Sequence, residues 1–321
     1  AGMIYRPVRE RSRDKVMDLA KRQLASTGYE ELSLLSLSTS DHSEIEPMVE
    51  ELIAICRDND VSLSLPSLRL DSFSFKVLQE IQGYKKTGLT FAPEAGTQRL
   101  RNVINKSITE QDIYHSVEQA IRLGWTNIKL YFMVGLPTET FEDLDGIVEI
   151  AKNITDINYQ ITGKRGRFNV TVSVSNFVPK AHTPFQWFPQ NTPEQLGEKH
   201  LYLKDRLKKI KGVSFHYHGT EASHIEAVFA RGDRRLGDAL IKAWELGCKF
   251  DGWHEHMKYE MWLKAFRETG IDPDFYAARE RSYDETLPWD LIDSGISKEF
   301  LISENNKAAS GIQSRDCRRG C

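Results

Sequence analysis

The chain has 321 residues, of which 40% are apolar and 28% charged, and its formal net charge is −3. This length predicts one large α/β domain, alone or with a smaller domain attached. The nearly balanced charges exclude a whole-chain field that would attract nucleic acid or a membrane surface, so an RNA partner would need a local basic patch. No apolar run reaches the roughly 20 residues of a membrane span and no secretory signal pattern is present, so we expect a cytoplasmic protein.

Cysteine usage gives little structural information. The four cysteines are too few and too scattered for a disulfide framework. Cys56 and Cys248 stand alone in helix-like segments, whereas Cys317 and Cys321 lie close together and could supply half of a metal site. Because the patterns at both ends are interrupted, we expect the chain to be a fragment of a longer protein.

The first part of the chain alternates between helix-like and strand-like segments. Ser12 is predicted to cap a first helix that ends near Gly28. Strands are predicted over residues 32–37 and 61–65, and in both of them serines alternate with apolar residues. A helix that starts near Pro47 is predicted between these strands.

Further strands are predicted over residues 88–91, 127–134 and 170–174. Thr109 with Asp112, and Thr140 with Asp143, form capping-box patterns at the starts of the helices between them. Strands thus recur at intervals of roughly 30 to 40 residues with helices between, which predicts parallel β-α-β units. Both a barrel and an open doubly wound sheet fit, but the polar and glycine-bearing segments all follow strands, which favours a barrel that gathers them on one rim.

The pattern becomes mostly helical after a cluster of proline, glutamine and asparagine near residues 190–193. We therefore predict a first α/β domain over residues 1–190 and a smaller, α-rich domain over residues 191–321. The second domain is predicted to contain one short strand over residues 213–217.

Candidate functional residues follow the predicted strands. Glu94 would project at the rim, where a ribose diol or an ammonium group is a natural partner, and Gly96 would let a ligand approach the backbone. The same carboxylate would also suit the start of a helix. Arg69 and Arg101 could bind a carboxylate or phosphate, although each of them alone is equally typical of a solvated surface.

The predicted strand over residues 127–134 leads into the segment Gly135, Leu136 and Pro137. A flat ring could pack against this backbone, and Met133 could contact a cofactor; an ordinary turn and barrel filling explain the same residues.

Two further sets of residues support alternative functions. His216, His218, His254 and His256 form two His-X-His pairs, which would suit the zinc site of a metal-dependent barrel hydrolase. Simple alternation on a strand with one wet face also produces such a pair. The basic residues between 204 and 211 would suit a non-catalytic RNA or protein adaptor, or one solvated helix face.

Three segments resemble motifs of the radical S-adenosylmethionine (radical SAM) superfamily, in the branch of the methylthiotransferases and the elongator catalytic subunit. The segment FAPEAGTQRLR at residues 91–101 resembles its ribose motif, and YFMVGLPTET at residues 131–140 resembles its fifth-strand loop. STSD at residues 38–41 falls where the second strand meets the methionine part of the cofactor, and NFVPK at residues 176–180 is similar to the sixth strand. Residues 1–12, 230–236 and 250–253 further resemble a bacterial branch associated with cobalamin-binding domains.

This resemblance implies an α/β fold with a partial, open parallel (β/α) barrel. It implies that S-adenosylmethionine is bound by residues at the strand ends: Glu94 at the ribose, Gly135 and Val178 at the adenine, Ser38, Asp41 and Arg69 at the methionine end, and Gly96, Arg101, Met133 and Pro179 around them. It further implies that the intact enzyme cleaves S-adenosylmethionine reductively to a 5'-deoxyadenosyl radical, which attacks a substrate that the sequence does not identify.

The implied chemistry needs groups that this sequence does not supply. The resemblance implies a 4Fe-4S cluster held by three thiolates, from a Cys-X-X-X-Cys-X-X-Cys loop that the chain lacks. We therefore expect the cluster ligands outside this fragment, cobalamin on a domain not contained in it, and an external electron donor such as flavodoxin or ferredoxin.

Overall fold

The computed structural model describes residues 9–36, 39–64, 89–164 and 166–315. Within them, the strands form two sheets in which all neighbours are parallel. One sheet pairs β1 (Glu31–Ser33) with β2 (Ser62–Ser64), and the other has the order β3 (Leu89–Glu94), β4 (Asn127–Val134), β5 (Asn169–Asn176) and β6 (Val213–Tyr217). The predicted α/β class with parallel strands is confirmed, and the arrangement is consistent with a partial barrel.

The described helices fall into three groups. Two pack on the first sheet, α1 (Arg13–Ser26) and α2 (Ile45–Asp58); four accompany the second sheet, α3 (Gln98–Val103), α4 (Glu110–Arg122), α5 (Phe141–Thr162) and α6 (Pro193–Leu207); and five form the carboxy-terminal part, α7 (Thr220–Arg231), α8 (Leu236–Glu245), α9 (Tyr259–Glu268), α10 (Pro273–Ala277) and α11 (Lys298–Ala309). None of the described helices is long and apolar enough to cross a membrane.

Local sequence explains where the helices begin. The Ser12 hydroxyl accepts the N–H of Lys15, so the predicted cap of α1 is confirmed. Both predicted capping boxes are also confirmed, the first by Thr109 and Asp112 at the start of α4 and the second at the start of α5. Strand lengths were predicted less well: β1 ends at Ser33, and Leu35 beyond it is fully exposed.

The two sides of the four-stranded sheet differ in character. The side covered by α4, α5 and α6 is a continuous apolar core, in which the strands contribute Ile128, Leu130, Phe132, Val134, Val170, Val172 and Val174. The other side, which we call the open face, alternates with it along each strand. It carries Thr90, Lys129, Tyr131, Met133, Thr171, Ser173, Ser175, Ser214 and His216.

The predicted domain boundary cuts through this sheet. Strand β6 pairs with β5, and Leu196, Leu203 and Leu207 of α6 belong to the same core as β4 and β5. Residues 191–217 were predicted to lie in the second domain, yet they complete the four-stranded sheet. The helices from α7 onward build a separate apolar cluster around Val228, Trp262 and Phe266.

Candidate functional site

Three of the predicted site residues lie at one edge of the sheet. Glu94 is the last residue of β3, Gly135 follows β4 directly, and Val178 lies two residues beyond β5. Parallel strands place their carboxyl ends on the same side, and neighbouring strands are about 4.8 Å apart, so these ends line an edge roughly 10 Å wide. We call this the strand edge.

Glu94 occupies a backbone conformation that is unusual for a residue with a side chain. Its φ is +67°, and the pairing of β3 with β4 shifts register between Phe91 and Glu94. A left-handed conformation costs a non-glycine residue about 1–2 kcal/mol, and such strain clusters at functional sites. The irregular strand end aims a partly exposed carboxylate at the rim, where Lys106 Nζ lies 3.3 Å from its Oε1.

The loops after β3 and β4 are tied together by Asp143. The hydroxyl of Thr97 and the guanidinium of Arg99 both donate to its carboxylate, and Arg99 also donates to the carbonyl oxygen of Thr138 at 2.8 Å. Burial favours the neutral acid, but the hydrogen bonds from Thr97, from the N–H of Thr140 and from Arg99 prevail and lower the pKa of Asp143. The two loops are therefore connected to each other and to the start of α5.

Gly96 has a packing role that differs from the prediction. A Cβ atom at this position would lie 2.1 Å from the carbonyl oxygen of Asp143 and 2.4 Å from the nitrogen of Ile147. The space that a side chain would need is thus filled by the backbone of α5, and Gly146 makes the matching contact from the helix. The close approach that Gly96 permits is that of a helix, where the sequence had suggested a ligand.

Arg101 was predicted to contact the cofactor, and this prediction is wrong. Its side chain is fully buried, with Nε donating to the carbonyl oxygen of Ile108 at 3.1 Å and Nη1 donating to that of Ala95 at 3.0 Å. Gln98 accepts a further hydrogen bond from Nη2. Burial lowers the pKa of the guanidinium. Arg101 therefore holds the loop behind Glu94 from within the protein.

The Gly135 loop is held by a buried ion pair that the sequence did not predict. Gly135 has φ +80°, and its N–H donates to Oε1 of Glu139 at 2.9 Å. Lys199 of α6 donates to the same oxygen at 2.6 Å and to Oδ1 of Asn191 at 2.8 Å. Burial raises the pKa of Glu139, although Lys199 and the N–H groups of Gly135 and Leu136 favour its charged form. Glu139 lies inside the segment of residues 131–140 that resembles the fifth-strand loop. Lys199 lies sixty residues later, and no sequence pattern around it predicted the ion pair.

The remaining adenine-side residues are partly covered by protein. Met133 packs with Ala95 and Leu136 in a small cluster near the strand edge, and Val178 packs against the apolar cluster of the carboxy-terminal helices. Pro179 is buried beside it. Whether these residues contact a cofactor stays a prediction.

His200 is a second group that the sequence reading missed. It is buried on α6, its ring lies 4.4 Å from that of Tyr217, and its Nε2 has no hydrogen-bond partner. Burial, together with the nearby His218, lowers its pKa to about 4, so the ring is neutral at physiological pH.

The predicted histidine zinc site is not formed. The part of the chain that the structure describes contains no group of three or more histidine, cysteine or acidic side chains that could hold a metal ion. His216 lies exposed on the open face, whereas His254 and His256 lie exposed in a separate 3-10 turn. The metal-dependent hydrolase prediction is therefore wrong for these four residues.

The described cysteines do not fit an iron–sulfur cluster either. Cys56 and Cys248 are buried in different apolar clusters, and burial raises the pKa of both thiols. A cluster needs several thiolates grouped together, and these two cysteines are far apart in the fold.

The proposed RNA-binding run is partly neutralised by acidic neighbours. Arg206 pairs with Asp145 at 3.0 Å, and Lys208 pairs with Asp205. RNA binding stays a prediction.

Five predicted residues cannot be assembled with the strand edge. Asp41 ends a 3-10 turn (Thr39–Asp41) that follows β1, in the two-stranded sheet, whereas Glu94 lies in the four-stranded sheet. Ser38, Arg69, Cys317 and Cys321 lie outside the described residues.

Comparison with known proteins gives two kinds of match. Over 240 residues the chain is 32% identical to an uncharacterized protein of Methanocaldococcus jannaschii, a match that covers 75% of this chain and 50% of that protein. The chain thus spans about half the length of this curated relative. Solved structures match at 15% identity: the FeFe-hydrogenase maturase HydG from Carboxydothermus hydrogenoformans (TM-score 0.39, covering 84% of this chain and 74% of that chain) and the arginine decarboxylase of Paramecium bursaria Chlorella virus (TM-score 0.31, covering 65% and 55%). These low scores say nothing about function.

A family model matches as well, over residues 2–151, and it is described as the Radical SAM superfamily. This range contains the tied loops that carry Glu94 and Gly135, so the match and the geometry of the strand edge agree. Residues 2–151 of this chain are therefore a radical SAM superfamily domain.

Proposed function

We propose that the strand edge is the S-adenosylmethionine site of a radical SAM enzyme. The observation that carries the proposal is the convergence of Glu94, in a strained conformation, with the Gly135 loop on one edge of a parallel sheet. In this arrangement Glu94 accepts hydrogen bonds from the ribose hydroxyls. Its partner Lys106 has a long side chain that is 28% exposed, so the ammonium group can turn to solvent when a diol replaces it.

The adenine is proposed to lie beside Gly135 and Val178, over Met133. The N–H of Gly135 is already occupied by Glu139, and the side on which a Cβ atom would lie is filled by Leu196 and Asn191. The aromatic ring is therefore placed against the other side of this backbone. The role of this loop is to orient the cofactor. Asp143 supports this role, because its hydrogen bonds fix the loops after β3 and β4 to the start of α5.

The described residues do not fit the cluster that the superfamily uses. When bound, a 4Fe-4S cluster supplies the electron that splits S-adenosylmethionine into methionine and a 5'-deoxyadenosyl radical. We propose that its three thiolates come from residues outside the described part of this chain, within the longer protein that the match to the relative suggests. We likewise propose that this longer protein carries a cobalamin-binding domain, receives electrons from an external donor and acts on a substrate of its own.

The test is anaerobic reconstitution of the whole encoded protein with iron and sulfide, followed by reduction with dithionite in the presence of S-adenosylmethionine. We expect cluster absorbance and chromatographic detection of 5'-deoxyadenosine. Glu94→Gln should weaken S-adenosylmethionine binding roughly tenfold, since a charge-assisted hydrogen bond contributes about 1.5 kcal/mol or more. Glu118→Gln, on the exposed side of α4, is the matched control. Absence of both the cluster and 5'-deoxyadenosine would refute the proposal.

A further inference from the structure

The alternating serines of the strands have no role in the cofactor site just described. They lie on the sides of the sheets that face away from the helices, and the same alternation is seen in both sheets. The hydroxyl residues are Ser33, Ser62, Ser64, Thr90, Thr171, Ser173, Ser175 and Ser214. Parallel strands that are covered by apolar layers on both faces read as nearly continuous apolar runs. The composition of the open face therefore favours contact with a polar ligand over contact with an apolar layer.

The strand register arranges these groups in rows across the sheet. Lys129 pairs with Thr90 on one side and with Thr171 on the other, and Thr171 pairs in turn with Ser214. The hydroxyl of Ser214 donates to that of Thr171 at 3.1 Å. Four strands at a spacing of about 4.8 Å make a row roughly 14 Å long.

A second row lies two residues nearer the strand edge, about 7 Å along the strands. Tyr131 pairs with Ser173, and Ser173 pairs with His216. Met133 follows Tyr131 on the same face and leads to Gly135. The open face thus extends over about 13 Å from Lys129 to Met133, whose side chain packs with Ala95 and Leu136 near the strand edge.

The charge of the open face favours an anion. Lys129 Nζ lies 4.7 Å from the ring centroid of Tyr131, and no described carboxylate forms an ion pair with it. Glu94, at the rim, is the one carboxylate in the four strands, and Lys106 already pairs with it. A single cation in a net-negative chain does not suit a polyanion such as RNA, which needs many phosphate contacts.

We propose that the open face binds a small anionic polyol, with its phosphate or carboxylate group on Lys129 and its hydroxyls on the serine and threonine rows. This deepens the proposed function, on which it rests, by naming the substrate class. The ligand lies along the strands, so that its end away from Lys129 reaches the strand edge at Met133. Hydroxyl groups such as those of Thr171 and Ser214 donate and accept, so they suit the hydroxyls of a polyol.

The test is calorimetric titration of the chain with ribose 5-phosphate, gluconate and neutral ribose. The first two probes separate a phosphate from a carboxylate as the anionic group. We expect one of them to bind saturably at millimolar concentrations and more tightly than ribose, with an affinity that falls as salt is added. Lys129→Met should weaken this binding roughly tenfold, Lys129→Arg should retain most of it, and Lys152→Met, on the exposed outer side of α5, should change nothing.

Four results would overturn the proposal. They are the absence of saturable binding for both anions, equal affinity in wild type and Lys129→Met, displacement of the bound anion by S-adenosylmethionine, and preferential binding of a single-stranded RNA that depends on Lys129. Because the titration needs no cofactor or cluster, polyol binding by a protein that forms no 5'-deoxyadenosine would refute only the proposed function.

Discussion

The buried ion pair between Glu139 and Lys199 allows a quantitative test of how the Gly135 loop is held. The two side chains are 1% and 15% exposed, and Nζ lies 2.6 Å from Oε1. The other oxygen of Glu139 is buried without a hydrogen-bond partner, so Lys199 and two backbone N–H groups are the main support of the charge. We expect Lys199→Met to lower the free energy of unfolding by about 3–5 kcal/mol at pH 8, the usual cost of leaving a buried charge unpaired.

The pH dependence separates this cause from a simple packing defect. The pKa of Glu139 is raised above its ordinary value of 4.5, so the favourable contribution of the neutral acid is complete below 4.5 and is lost as pH rises through the folded-state pKa. Removing Lys199 raises that pKa further. As pH falls through this raised pKa, the carboxyl group of Glu139 in Lys199→Met takes up a proton, and the deficit in the free energy of unfolding relative to wild type should shrink.

The assay is urea unfolding followed by tryptophan fluorescence between pH 5 and pH 8. Lys208→Met is the matched control, because Lys208 and its partner Asp205 are both more than half exposed, and it should cost less than about 1 kcal/mol at every pH. The double variant Glu139→Gln with Lys199→Met should recover part of the loss at pH 8. A deficit in Lys199→Met that is the same at pH 5 and pH 8 would refute the reasoning.

Three further substitutions test the surroundings of the strand edge by the same unfolding assay. Gly96→Ala should cost about 3 kcal/mol, because its Cβ atom would overlap the backbone of α5, whereas Gly197→Ala, in open space on α6, should be neutral or stabilising by up to about 1 kcal/mol. Arg101→Met should cost about 3 kcal/mol by leaving buried carbonyl groups unpaired, and Arg122→Met, in an exposed pair, about 0.5 kcal/mol. The free energy of unfolding of the wild type should fall by about 3 kcal/mol as pH falls from 6.5 through about 4, because the buried His200 ring must then take up a proton, and His200→Gln should remove this loss.

Three results would contradict these predictions. Equal effects of the two glycine substitutions would show that the contact between Gly96 and α5 is not tight. A cost for Arg101→Met no larger than that for Arg122→Met would place the Arg101 guanidinium in solvent. An imidazole of His200 that titrates near 6.5 by NMR would show that the ring is hydrated.

Local patterns predicted the elements well because their causes are local. The capping box of Thr140 and Asp143 depends on residues three apart, and the alternation of β4 depends on residues two apart, so both could be predicted from a short segment. The domain boundary failed for a different reason. The apolar stripe of α6, with Leu196, Leu203 and Leu207, has the same spacing whether the helix packs on the sheet or in a separate domain.

The site was predicted less completely because its support is not local. Burial decides whether an arginine meets solvent or carbonyl groups, and nothing in the sequence around Arg101 distinguishes the two. Lys199 is paired with Glu139 only because α6 packs behind the Gly135 loop. The motifs thus predicted which loops form the strand edge, whereas the groups that stabilise them came from the tertiary structure.

The open face offers a last test, in which stability and binding should change in opposite directions. Ser173 is buried at the centre of the second row, between Tyr131 and His216, where an apolar side chain would pack more favourably. Ser173→Val should therefore raise the free energy of unfolding by about 1 kcal/mol, as is common where a polar side chain is kept for function at a cost in stability. The same change removes a hydroxyl from the proposed ligand surface and should weaken binding of ribose 5-phosphate or gluconate several-fold. Ser173→Thr keeps the hydroxyl and should retain the binding, while a valine variant that binds as well as wild type would show that the serines serve the sheet alone.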